Sequence, residues 1–106
     1  MLAIVRSNRF VKDLKLAIKR GFDLSLLEEV VNKLANNEKL DEKYYDHPLV
    51  GEYNGFRECH IKPDWLLIYY IDNDELELLL FRTGTHSDLF LKIKEQISAL
   101  SLCFDL

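Results

Sequence analysis

The spacing of apolar positions changes character several times along this chain. It is strand-like at residues 2–5, helical from there to about residue 36, absent to about residue 52, and strand-like again to about residue 82. Phe10, Leu14, Ala17 and Ile18 fall on one stripe of a helix over 8–20, which Ser7 can cap and Gly21 can end. Asp23 can cap a second helix reaching about residue 36, with Leu27, Val30, Val31 and Leu34 turned inward. The link between them is short, so the two helices should form an antiparallel hairpin. Residues 37–52 carry Asn, Glu, Lys, Asp, Pro and Gly without a period and read as a long loop, a class usually functional or disordered. Strands are expected over 53–61, 65–71 and 75–82, separated by Lys62-Pro63-Asp64 and Asp72-Asn73-Asp74. Such short turns demand an antiparallel meander, with 65–71, almost wholly apolar, as its central strand. The first strand is expected to join the same sheet, with the helical hairpin on one face. From Ser87 a helical stripe resumes through Ile93, Ile97, Leu100 and Phe104. The pattern predicts one α+β domain in the order β-α-α-β-β-β-α.

Composition narrows the class. The chain has 106 residues, 48% of them hydrophobic, which suits one compact core. No run of eighteen apolar residues is present, so no membrane span is expected, and the apolar start is too short for a signal peptide. Cys59 and Cys103 are too few for a disulfide scaffold, and a reducing, cytoplasmic setting is expected. The net charge of −4 argues against tight, unaided nucleic-acid binding, but it is unevenly spread. Residues 1–20 hold Arg6, Arg9, Lys12, Lys15, Lys19 and Arg20 against Asp13 alone, a local charge of +5 that leaves −9 for the rest. Lys12, Lys15 and Lys19 stripe one helix face; such a stripe is either a solvated surface or a polyanion contact.

The chemistry-bearing residues lie after the helices. His47 sits in Asp46-His47-Pro48-Leu49, His60 in Glu58-Cys59-His60, and His86 in Arg82-Thr83-Gly84-Thr85-His86. Histidine exchanges protons near neutrality, and several imidazoles converging with a carboxylate and an arginine suit acid–base chemistry on a phosphodiester. Taken singly, each has a plainer reading. A strand histidine is usually a hydrogen-bonding group, Asp64 is turn chemistry, Arg82 a surface charge and Phe90 a core residue. Arg82 poses a further problem, because strict alternation puts it with Leu78 and Leu80 on the core face unless a bulge or the strand end re-aims it.

Three segments together carry a resemblance: Asp46-His47-Pro48-Leu49-Val50-Gly51, Gly55-Phe56-Arg57-Glu58-Cys59-His60-Ile61-Lys62-Pro63-Asp64-Trp65, and Arg82-Thr83-Gly84-Thr85-His86-Ser87-Asp88-Leu89-Phe90. With the order of elements, they resemble the YafQ-type branch of the RelE/ParE toxin superfamily over residues 1–90. The resemblance implies a RelE-like fold over 1–90 and a toxin of a type II toxin–antitoxin module. Such a toxin acts as a ribosome-dependent, metal-independent endoribonuclease cleaving mRNA, with no cofactor. It implies an antitoxin partner, usually of ribbon-helix-helix type, and contacts with the ribosome and mRNA. Carried over position by position, the catalytic set is His47, His60, Asp64, Arg82 and His86, with Phe90 and Arg82 contacting substrate. In that set His86 is expected as general acid, His60 with Asp64 on the base side, Arg82 at the phosphate and Phe90 under a base. Two features depart from the branch: the acidic balance, and residues 91–106, expected to form a helical extension of the same domain.

Two other functions compete. A zinc hydrolase would use the three histidines and Asp64, but they show no H-x-x-x-H or C-x-x-C spacing. A non-catalytic, ParE-like binding toxin would not need the histidine set.

Overall fold

A computed structural model describes residues 1–91 of the chain; of the extension expected over 91–106, all but Leu91 lies outside them. The elements are β1 (Ala3–Arg6), α1 (Asn8–Lys19), α2 (Leu24–Ala35), β2 (His47–Pro48), β3 (Arg57–Lys62), β4 (Trp65–Asp72) and β5 (Glu77–Gly84), closed by a π-helical turn at Ser87–Leu91. The α+β class and the helical hairpin are as the pattern predicts, and the helix ends show why. The Ser7 hydroxyl accepts from the Phe10 amide and donates to the Phe81 carbonyl, so one side chain caps α1 and ties it to β5. Gly21 follows α1 with φ +78°, while the Gly21 and Phe22 amides return to the carbonyls of Ile18 and Ala17. The Asp23 carboxylate caps α2 by accepting from the Ser25 amide.

The sheet order is β1-β5-β4-β3-β2. Neighbours from β2 to β5 are antiparallel, as a meander requires, but β1 runs parallel to β5 at the far edge. The hairpin carries the chain away from β1 and across a sheet face, so β1 can meet the last strand without a tight turn. As an edge, β1 is exposed along its whole length despite its apolar sequence, and Ile18 too lies outside the core at 54% exposure. Other boundaries also shift. Residues 51–53 form a 3₁₀ turn instead of starting a strand. Asp72 accepts from the Asp74 and Glu75 amides, prolonging the next turn so that β5 begins at Glu77. The long loop contains a 3₁₀ turn at Glu42–Tyr44 and the short edge strand β2.

Both faces of the sheet are covered. Phe10, Leu27, Val30 and Leu34 of the hairpin pack on Cys59, Trp65, Leu67, Tyr69, Leu78 and Leu80. On the opposite face Leu66, Ile68 and Leu89 form a smaller cluster with Leu49, Tyr53, Phe56 and Phe81. Strand β4 is therefore buried from both sides, which its near-continuous apolar sequence requires. A bulge interrupts the alternation just before Arg82. Tyr69 pairs with Leu80 and Ile68 with Arg82, so Phe81 is the inserted residue. No helix among the described residues is long and apolar enough to cross a membrane.

Candidate active site

The second face of the sheet, away from the hairpin, carries the histidines. In β3, Glu58 pairs with Ile68 and His60 with Leu66, so both side chains rise beside the smaller apolar cluster. The edge strand β2 brings His47 opposite Glu58. Its place is fixed by the preceding residue: the Asp46 carboxylate accepts from the Tyr69 hydroxyl at 2.6 Å and from Arg57 Nε at 3.2 Å. Burial first, and then the bond to Asp46, push the Tyr69 hydroxyl up well beyond the ordinary phenol range, with Arg57 opposing them. His86 arrives from beyond β5. Ring centroids are 6.3 Å apart for His47 and His60 and 5.5 Å for His60 and His86, so three histidines far apart in sequence form one row.

Each imidazole has a carboxylate. Asp64, in the β3–β4 turn, accepts from the His86 amide at 2.9 Å and from its ring Nδ1 at 2.5 Å. A carboxylate only accepts here, so Nδ1 carries a proton and chemistry runs through Nε2. The two hydrogen bonds hold the Asp64 carboxyl below its usual range. The expected partnership of Asp64 with His60 is therefore corrected: Asp64 serves His86. The carboxylate beside His60 is Glu58, whose Oε1 lies 3.8 Å from His60 Nε2 and 3.5 Å from His47 Nε2.

Glu58 is the residue that sequence reasoning missed. It is only 2% exposed, and its Oε2 has no hydrogen-bond partner. Burial raises its pKa, opposed in part by the neighbouring imidazoles of His47, His60 and His86. The signal was available: Glu58 and His60 are two apart on a strand and must share a face. His47 Nδ1 lies 2.6 Å from the Tyr45 carbonyl, so that nitrogen bears hydrogen and a neutral ring turns a lone pair at Nε2 toward Glu58. That contact, at 3.5 Å, is attractive when either partner carries a proton.

The loop carrying His86 is braced from behind. The Asp88 carboxylate accepts from both Nη atoms of Arg20, at 2.5 and 3.1 Å, and from the Thr85 amide at 3.1 Å. The Thr85 hydroxyl accepts in turn from the Asp88 amide. The Arg20 bond lowers the Asp88 pKa to about 2. A Cβ on Gly84 would lie 3.1 Å from the Asp88 side chain, so the absence of one lets this brace close over the strand end.

Arg82 points elsewhere. It is 4% exposed, and its Nε and Nη2 donate to Asp13 of α1 at 2.7 and 3.1 Å. In this arrangement its fork joins α1 to β5, and a phosphate can take it only by replacing Asp13. The side chain of Phe90 lies outside the described structure. Among the described residues no three of His, Cys, Asp and Glu are grouped so as to hold a metal ion. The arrangement offers acid–base chemistry instead: two imidazole–carboxylate couples side by side, one exposed and one partly enclosed.

The sequence model of the family described as "Bacterial toxin of type II toxin-antitoxin system, YafQ" matches residues 2–91. The chain belongs to the YafQ toxin family. The mRNA interferase toxin YafQ of Escherichia coli K12 is 45% identical over 86 residues, covering 79% of this chain and 90% of that protein. A metal-bound toxin from Helicobacter pylori superposes with a TM-score of 0.80 at 54% identity, over 84% of this chain and 99% of its own. YafQ in the E. coli DinJ–YafQ complex gives 0.78 at 42% identity, over 85% and 99%. The described residues thus correspond to nearly the whole of these toxins.

Proposed function

We propose that this chain is the toxin of a type II toxin–antitoxin module and an mRNA interferase, cutting mRNA on the ribosome by attack of a 2′-hydroxyl on the adjacent phosphorus. The observation that carries the reading is the row of three imidazoles, with Glu58 beside His47 and His60 and Asp64 on His86. His60, backed by Glu58, removes the hydroxyl proton. His86, oriented by Asp64, protonates the departing 5′-oxygen through Nε2. His47 shares Glu58 and supplies positive charge beside the phosphate when it holds the proton between them. Arg82 joins in if the substrate exchanges with Asp13 at its fork, and Phe90 is assigned to stacking under a base. No step needs a bound metal. The products are a 2′,3′-cyclic phosphate and a 5′-hydroxyl, which leaves the atoms balanced without water.

By the same reading the toxin works in the cytoplasm and is restrained by an antitoxin of ribbon-helix-helix type, as the DinJ–YafQ complexes suggest for the antitoxin itself. Residues 1–90 form the catalytic body and 91–106 an extension of it. The test is ribosome-programmed cleavage by wild type, His60→Ala and His86→Ala, with analysis of the 3′ ends. Loss of the acid should cost about 10²–10⁴ in rate. Because a Helicobacter relative binds metal, the assay is repeated after the protein alone is stripped with chelator and returned to magnesium-buffered ribosomes. Unchanged cleavage by a folded His86→Ala protein, or activity lost on stripping and regained only with a transition metal, overturns the reading.

A further inference from the structure

We propose that the groove between Tyr45 and His60 is the subsite for the nucleobase of the nucleotide that supplies the attacking 2′-hydroxyl, with Tyr45 as its stacking platform. The inference rests on the endoribonuclease reading above and names one contact within it. Tyr45 is 72% exposed, and its ring stands 5.7 Å from that of His60. It is also a non-glycine residue in the left-handed region, at φ 49° and ψ 43°, a conformation that costs roughly 1 kcal/mol or more. That conformation is held from both sides. The Tyr45 amide donates to the Glu42 carbonyl, and its own carbonyl accepts from His47 Nδ1. A large aromatic side chain kept outside the core, in a strained backbone and against a site imidazole, contributes little to stability. It does present a flat π-face beside the base-side histidine.

The surroundings fit a nucleotide. The groove encloses about 700 Å³ and is lined by Tyr45, His60, Ile61 and Pro63, with Lys43 and Lys62 at its margins and Glu29 on the α2 side. Strand β2 pairs only with Arg57 and Glu58, so the outer side of β3 beyond Glu58 has no strand partner and forms one wall. Two lysines against one glutamate suit a phosphodiester chain passing an apolar slot. His86 is not among the lining residues; the groove joins the site through His60. The 2′-hydroxyl belongs to the nucleotide upstream of the cut, and its proton leaves toward His60. Hence the upstream base occupies this groove. Stacking accepts any base, so the contact sets affinity more than codon choice.

The test crosses a protein change with a substrate change in single-turnover cleavage on programmed ribosomes. Tyr45→Asn removes the ring but tolerates the left-handed backbone, keeping the carbonyl on His47; Tyr45→Trp keeps a π-face. Tyr45→Asn should raise the half-saturating concentration by about 5- to 150-fold, the range of one lost base stack. The change should appear in half-saturation and not in the rate at saturation, and Tyr45→Trp should restore most of it. An mRNA abasic at the upstream nucleotide should cost wild type a similar factor, and little more in combination with Tyr45→Asn. Additive losses overturn the subsite, as does a Tyr45→Asn defect confined to the saturated rate. Unchanged half-saturation also overturns it and leaves the groove to a protein partner such as the antitoxin. A wild type that cuts no mRNA defeats the endoribonuclease reading itself; active wild type with an indifferent Tyr45→Asn defeats the subsite alone.

Discussion

Replacing Asp13 by alanine should destabilise the fold severely, and the Arg82 environment supplies the magnitude. The Arg82 side chain is 4% exposed and the Asp13 side chain 14%. The carboxylate accepts from Arg82 Nε, Arg82 Nη2 and the Thr83 amide. Removing it strands a guanidinium in the interior. Breaking a buried pair from one side costs about 3–5 kcal/mol, and the weakened Thr83 amide adds up to about 1 kcal/mol. Water entering from the partly open Asp13 side offsets some of this, so about 3 kcal/mol is expected. That is roughly a 150-fold change in the folding equilibrium and a large share of a small domain's stability. Urea denaturation followed by fluorescence of Trp65, which is buried and bonded to Thr83, reads it directly. With a slope near ~1.5 kcal/mol/M the midpoint should fall by about 2 M. Adding Arg82→Met to Asp13→Ala removes the stranded charge and should recover most of the loss. A loss below about 1 kcal/mol for Asp13→Ala, or a double variant as unstable as the two single losses added, would refute the reasoning.

Three further outcomes follow from particular contacts. Asp88→Asn should cost about 1 kcal/mol at neutral pH: the drop from 3.8 to about 2 corresponds to roughly 2.4 kcal/mol, which solvent around Arg20 screens. Because the folded pKa is depressed, that stability is present above about pH 4 and disappears as pH falls through about 2; an undiminished gap between wild type and variant at pH 2 would contradict it. Glu58→Gln should separate stability from activity. A carboxyl whose pKa is raised by burial opposes folding when ionised, so the variant should be at least as stable as wild type at pH 8 by denaturation, while cleavage falls at least about 100-fold; a destabilised, fully active variant refutes this. Replacing the exposed Lys12, Lys15 and Lys19 together by glutamine should weaken ribosome binding and flatten its salt dependence, with cleavage at saturation little changed; an unchanged salt slope in sedimentation leaves the stripe as a solvated helix face.

The helical hairpin was legible because its helix-end signals are local: Ser7 caps, Gly21 ends and Asp23 caps helices through bonds within four residues of themselves. Strand β4 was legible because its first five residues, buried from both sides, form an almost unbroken apolar run. What escaped depends on partners distant in sequence. Nothing local shows that β1 runs parallel to β5, or that residues 47–48 lie along β3. A glutamate in an alternating strand reads as solvent-facing, and Glu58 is buried only because His47 and the apolar cluster around Leu49 and Phe56 fold over that face. The histidines could be picked out, but their carboxylates could not be allotted, since Asp64 meets His86 across 22 residues. Arg82 showed as a conflict in the alternation. A bulge at Phe81 breaks the alternation there, and the buried ion-pair partner that accounts for Arg82, Asp13, lies 69 residues away.

The central claim is that His86, held by Asp64, and His60, beside Glu58, form an acid–base pair acting on RNA. Mass analysis of the 3′ ends produced on mRNA-programmed ribosomes tests it most directly, with wild-type, His86→Ala and His60→Ala proteins each shown to be folded. The account predicts a 2′,3′-cyclic phosphate, or the 3′-phosphate formed from it, with wild type, and losses of at least about 100-fold with either variant. A 3′-hydroxyl product, or wild-type rates from either folded variant, would contradict it.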